Sequence, residues 1–165
     1  MRDLLKAIFI LVLALTSGRV LADLPIALVA EARLPYDYSP SNYDNSPSNY
    51  NNSISNYDNS PSNYDNSESN YDNSASNYEN NRNGNRRIIY SSNGSGTFAG
   101  YYAIADNGTT NFFSPSGKRM FYTPKGGRGV FCGKDGSFCG ALAVVDGQFS
   151  LALTENGIKV MFLSN

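Results

Sequence analysis

Residues 138–153 read Phe138-Cys139-Gly140-Ala141-Leu142-Ala143-Val144-Val145-Asp146-Gly147-Gln148-Phe149-Ser150-Leu151-Ala152-Leu153. Two alternating runs flank an Asp-Gly pair, the pattern of antiparallel strands joined by a two-residue turn. A turn centred on Asp146-Gly147 sets Val144 opposite Phe149 and Leu142 opposite Leu151. The large apolar side chains then share one side, and Ala141, Ala143, Ser150 and Ala152 share the other. Small groups on that second side allow another layer to approach closely. A further turn at Asn156-Gly157 would pair Leu151 with Phe162 and Leu153 with Val160, making a meander.

Upstream, a shift of 40 residues lays Thr97–Asp106 on Ser137–Asp146 and Gly117 on Gly157 without a gap. In this first copy a turn at Ser116-Gly117 would pair Phe113 with Met120 and Asn111 with Tyr122. Gly-containing turn signals recur from Asn93-Gly94 to Asn156-Gly157 about every ten residues, and no helix signal interrupts them. The expected fold for residues 88–165 is all-β: a small antiparallel sandwich or barrel of six to eight strands, built from two duplicated β-meanders.

A region of 78 residues has limited apolar area to bury. Cys132 and Cys139, the only cysteines in the chain, flank a turn-rich loop, and a disulfide between them would supply a staple. With no histidine and no C-x-x-C, neither a zinc site nor a thiol redox centre is indicated.

Residues 36–80 differ in kind. A seven-residue unit, Ser-Asn-Tyr-Asp-Asn-Ser-Xaa, recurs with tyrosines at Tyr36, Tyr43, Tyr50, Tyr57, Tyr64, Tyr71 and Tyr78. A coiled coil needs two apolar positions per heptad, and only one is present. Asn and Ser compete for main-chain hydrogen bonds, and Pro40, Pro47 and Pro61 remove donors. Seven acids and no base accompany the tyrosines. A disordered, extended, mobile tract is expected, because it holds too little apolar surface to offset its ordering entropy. Its phenols are candidate association or oxidative cross-linking sites, each a large ring with a hydrogen-bonding tip.

The N-terminus has a charged start at Arg2 and Lys6, an apolar run from Ala7 to Leu15, and short residues ending at Ala22. Residues 1–22 are expected to be a secretory signal peptide, cleaved after Ala22, since the run is too short to span a bilayer. Residues 23–35 form an N-terminal segment of unassigned structure. Residues 81–87 are a basic linker, whose Arg86-Arg87 pair reads first as a solvated boundary and second as a processing site after Arg87. Asn51, Asn93 and Asn107 head Asn-x-Ser/Thr sequons and are candidate glycosylation sites.

The whole chain, 165 residues, carries 13 Lys+Arg against 14 Asp+Glu and no histidine. This excludes imidazole catalysis and gives no basic footprint for nucleic acid. Asp106, Asp135, Asp146 and Glu155 lie in or beside turn signals, so no catalytic, cofactor-binding or metal-binding residue is assigned and no cofactor is implied. The expectation is a secreted, non-enzymatic, structural or adhesive protein that meets itself or other extracellular proteins. No membrane contact is expected once the signal is removed. The alternative is a soluble body-fluid factor in defence, stress response or reproduction, whose β domain binds a small molecule, a carbohydrate or a protein. Its repeat would then be a spacer or pro-segment.

Closing a loop as short as Cys132–Cys139 stabilises by roughly 2–3 kcal/mol in the chain-entropy model. Reduction is therefore expected to lower the melting temperature by roughly 10 °C or more, read by thermal unfolding with and without a phosphine reductant. An unchanged midpoint would deny the bridge a stabilising role.

Overall fold

In the computed structural model, residues 23–84, 86–91 and 96–163 are described, and the signal-peptide reading of residues 1–22 lies outside them. Eight strands are formed: β1 (Leu24–Leu28), β2 (Arg87–Ser91), β3 (Phe98–Ile104), β4 (Thr110–Phe113), β5 (Arg119–Thr123), β6 (Gly129–Cys132), β7 (Phe138–Val145) and β8 (Gln148–Leu153). They close into one barrel in chain order. Antiparallel pairing runs from β2 to β8, and β1 joins the two ends of the sheet by pairing parallel to both β2 and β8. Closure leaves no unpaired sheet edge.

Alternation along the strands sorts side chains into two sets. Inside the barrel, Leu24, Ile26, Ile89, Tyr102, Phe112, Phe121, Val130, Leu151 and Leu153 form the main core, with Cys132 and Cys139 among them. Outside, three further buried clusters occur: Tyr101 with Ala103 and Phe113, Tyr122 with Phe131 and Phe138, and Ala141 with Ala143 and Ala152. A sheet buried on both faces needs a second layer. Residues 29–80 supply it.

The β7–β8 register agrees with the expected one, Val144 opposite Phe149 and Leu142 opposite Leu151. The small-residue side of this hairpin is covered by Val29 and Tyr38. Asn111 pairs with Tyr122 as expected, but a bulge beyond Phe112 places Phe113 opposite Arg119 and frees Met120 to point inward.

Three expectations are corrected. Residues 155–163 are not a third meander strand but helix α1 (Glu155–Leu163), so the pairings Leu151–Phe162 and Leu153–Val160 do not form. Ile158 and Met161, one helical turn apart, rest on the barrel core, and the N–H of Ile158 donates to the Thr154 carbonyl at 2.9 Å. The tight glycine in this region serves packing rather than a hairpin: a side chain on Gly157 would meet the Cys139 carbonyl. Second, the unit is not built from two complete duplicated meanders; the strands belong to one barrel, and the forty-residue correspondence ends where β5 is replaced by α1. Third, the folded unit is not confined to residues 88–165, because β1 comes from the N-terminal segment.

The correspondence does survive at Gly100 and Gly140. A side chain at Gly100 would strike the Phe113 carbonyl, and one at Gly140 the Ala152 carbonyl, where neighbouring strands crowd together. Gly140→Ala is expected to destabilise the protein by about 2 kcal/mol or more, in the range of overpacked sites. Urea denaturation measures it, and a change within about 0.5 kcal/mol would contradict this crowding.

Candidate functional site: a tyrosine-bearing belt around the barrel

The repeat tract departs most from its expected form. Instead of a mobile extended chain, it is a series of single 3-10 turns at Tyr36–Tyr38, Tyr43–Asn45, Tyr50–Asn52, Tyr64–Asn66, Tyr71–Asn73 and Tyr78–Asn80, with a hydrogen-bonded turn at Tyr57–Asn59. The residues that discourage helices build these turns. Asn42, Asn49, Asn56, Asn63, Asn70 and Asn77 each accept the N–H two residues on, and Ser39, Ser46, Ser53, Ser60, Ser67 and Ser74 do the same. These are the local bonds by which Asn and Ser hold turns.

A second asparagine in each unit ties it to the one before. Asn66 Nδ2 donates to the carbonyls of Asp58 at 2.7 Å and Ser60 at 3.0 Å. Asn45, Asn52, Asn59, Asn73 and Asn80 repeat this pair of bonds. All six are buried. The tract thus satisfies its own carbonyls without a sheet or a helix.

The barrel holds this belt from below, strand by strand. Arg128 lies over the Tyr38 ring, 5.4 Å from its centroid. Gly129 of β6 packs beside Asn45. Tyr122 Oη of β5 donates to the Asn52 carbonyl at 2.8 Å, and Arg119 Nη2 to the Asn59 carbonyl at 2.9 Å. Asn111 Nδ2 of β4 donates to Asn66 Oδ1 at 2.9 Å, and Tyr101 Oη of β3 to the Asn73 carbonyl at 2.6 Å. The β3–β4 turn adds Asn107 Nδ2 and Thr109 Oγ1, both donating to the Asp58 carbonyl.

The last place of the seven-residue unit varies most, and there the fit between belt and barrel changes from unit to unit. Ile54 packs on the Tyr122–Phe131–Phe138 cluster and against Gly136. Glu68 Oε1 accepts the main-chain N–H of Arg119 at 2.7 Å. Ala75 sits against Gly117. These three residues match their local neighbours: apolar on aromatic, carboxylate on a main-chain N–H, small on glycine.

Burial sets the electrostatics below the belt. The Arg119 guanidinium, 4.8 Å from the Tyr122 ring centroid, is brought down to about 10 by desolvation, and its Nη1 is buried with no hydrogen-bond partner. Desolvation pushes the Tyr101 phenol up to about 12 and raises Tyr122 further. Both phenols are held neutral as donors to the belt.

The outer side of the belt is the opposite. Tyr36, Tyr43, Tyr50, Tyr57, Tyr64, Tyr71 and Tyr78 are 61–66% exposed. Each occupies the same place in its unit, so the belt presents a row of near-equivalent rings. Among the other expected site residues, Cys132 and Cys139 are disulfide-bonded with Cα atoms 5.5 Å apart. Ala22 and Asn93 lie outside the described residues. Arg87 opens β2 opposite Tyr102, its guanidinium 5.7 Å from that ring's centroid. Asn51 is exposed, whereas Asn107 is engaged with the belt.

Of the four acids considered for catalysis, Asp135 accepts from both the N–H and Oγ of Ser137, which holds its carboxyl below the usual range. Asp146 stands in the β7–β8 turn at φ +50°. No group of three metal-ligating side chains occurs among the described residues. A cleft of about 700 Å³ opens between residues 30–41 and Thr154–Asn156. Among the described residues, no helix is long and apolar enough to cross a membrane. Comparison with protein-family models, curated proteins and solved structures found no match to the chain.

Of the clasp residues, Asn107 and Thr109 stood out in the sequence only as a sequon, and nothing in the sequence tied Arg119, Tyr101 or Tyr122 to the repeat. The departures of Ile54, Glu68 and Ala75 from the repeat consensus were the readable trace of the interface. Asn66→Ala removes two bonds within the belt and one to Asn111, and is expected to cost about 2 kcal/mol. It is also expected to speed limited proteolysis within residues 55–70, where Ser62→Ala on the exposed side does not. Equal cleavage of both variants and the wild type would show that the ladder does not hold the belt.

Proposed function

We propose that the protein is a secreted, non-enzymatic structural or adhesive component of an extracellular material, in which the seven belt tyrosines are the points of association or oxidative coupling. The observation that carries this reading is the even, outward display of Tyr36, Tyr43, Tyr50, Tyr57, Tyr64, Tyr71 and Tyr78 on a hydrogen-bonded backbone. Several equivalent weak sites on one rigid support combine as avidity.

Coupling is chemically simple. A peroxidase withdraws one electron and one proton from each of two phenols, an ortho carbon–carbon bond joins the rings, and hydrogen peroxide is reduced to two waters. Buried Tyr101 and Tyr122, whose hydroxyls are committed to belt carbonyls, are shielded from this reaction. A second reading, a soluble body-fluid factor that binds a ligand, rests on the cleft beside Thr154, whose buried Oγ1 has no hydrogen-bond partner.

Peroxidase with hydrogen peroxide is expected to convert the purified protein into covalent oligomers with dityrosine fluorescence, mapping to peptides within residues 36–78 and not to Tyr101 or Tyr122. Replacing all seven tyrosines with phenylalanine should abolish the oligomers while leaving the melting temperature near that of the wild type. Wild-type protein that stays monomeric under the same treatment, and at physiological salt without it, would sink the structural reading.

A further inference from the structure

The position after each repeat tyrosine is acidic at Asp37, Asp44, Asp58, Asp65, Asp72 and Glu79, and is asparagine only at Asn51. The units of Tyr43, Tyr50, Tyr57, Tyr64 and Tyr71 continue Asn-Ser, and among them this one departure creates the acceptor sequence Asn51-Asn52-Ser53 within the row. We propose that Asn51 carries an N-linked glycan, and that this glycan shields Tyr50 and Tyr57 and divides the tyrosine row into two separate arrays. The inference rests on the secreted reading given above.

The geometry suits the modification. The main chain of Asn51 is committed to the belt: its N–H donates to Asn49 Oδ1 at 3.0 Å, and its carbonyl accepts from Asn59 Nδ2 at 2.7 Å. The residue itself is exposed, so a sugar on its side-chain amide leaves the ladder untouched. Beside it runs a polar groove of about 330 Å³, lined by Asn51, Asn56, Asp58, Asn107, Thr109 and Lys125 among others. Amide, carboxylate, hydroxyl and ammonium groups together offer donors and acceptors to the hydroxyl and acetamido groups of a first sugar.

Asn107 contrasts with Asn51 across the same groove. Its Nδ2 donates to the Asp58 carbonyl at 2.8 Å and its Oδ1 accepts from the Thr109 N–H at 2.8 Å. A sugar on that nitrogen would stand between the β3–β4 turn and the belt it clasps. In the transfer at Asn51, the amide nitrogen bonds to C1 of a lipid-linked oligosaccharide. The C1–oxygen bond to the lipid pyrophosphate breaks, and the amide proton departs with that leaving group.

The test uses the full chain expressed in a eukaryotic secretory host and recovered from the medium. Digestion with a peptide-N-glycosidase in ¹⁸O-water converts an occupied asparagine to labelled aspartate. Label is expected at residue 51 and not at 107. The same enzyme acting on the folded protein, or the variant Asn51→Asp, restores the acid that the other units carry. After either change, peroxidase coupling is expected to yield dityrosine peptides containing Tyr50 and Tyr57 that are absent from the glycosylated protein.

An unlabelled Asn51 in protein from the medium, or label at Asn107 in its place, overturns the proposal. Equal coupling of Tyr50 and Tyr57 with and without the glycan overturns the shielding. Label at 51 with no coupling of any tyrosine supports the modification and instead defeats the cross-linking function. Protein retained in the cells with its N-terminus uncleaved defeats the secretion premise and the glycan with it.

Discussion

Neighbouring strands that run parallel cannot be joined by a tight turn; the chain must return from the end of one to the start of the other. β1 and β2 are such a pair, and they close the barrel. Everything between Leu28 and Arg87 is therefore a crossover connection, and it has to travel over a surface of the barrel. In most parallel pairs an apolar-striped helix makes that journey. Here the connection is polar and repetitive, so it needs another way to satisfy its main chain while lying on aromatic side chains. The buried asparagines meet that need, bonding each unit to the preceding one, and Tyr101, Arg119, Tyr122, Asn107 and Thr109 supply the remaining donors from below.

This arrangement explains how a tract with little apolar surface becomes ordered. Its own side chains bury little apolar area, but it covers Tyr101, Phe113, Tyr122, Phe131 and Phe138, which the barrel would otherwise expose. The hydrophobic gain of docking thus belongs to residues distant in sequence, and it offsets the entropy of ordering the belt. Because most clasping bonds go to main-chain carbonyls, the repeat sequence is free to remain nearly uniform. Register along the belt is carried by the few exceptions, with Ile54, Glu68 and Ala75 each fitted to a different part of the barrel.

The tyrosines consequently have two uses governed by which side of a layer they face. Tyr102 fills the barrel interior, and Tyr101 and Tyr122 lie between barrel and belt with raised phenol pKa values. The seven repeat tyrosines take no part in the ladder through their rings, apart from a single bond from Tyr78 Oη to the Asn83 carbonyl at 3.3 Å. A belt that holds itself together through Asn and Ser leaves its aromatic groups available for other molecules, and this division of labour supports the proposed role.

Local pattern was sufficient for some features. The Asp146-Gly147 turn, the facing of Val144 with Phe149 and of Asn111 with Tyr122, the small-residue outer side of β7 and β8, and the Cys132–Cys139 bridge all depend on contacts close in sequence. The period of seven was equally plain, as was the inability of the tract to form an ordinary helix. Three outcomes depended on partners far along the chain. β1 became a strand because β2 and β8 together offered it two edges; α1 formed because Ile158 and Met161 met the barrel core on one helical side; and the repeat became a belt because an outer aromatic face was there to be covered. Short-range hydrogen bonding set the shape available to each heptad, but only the closed barrel supplied the surface on which seven such shapes could be stacked and held.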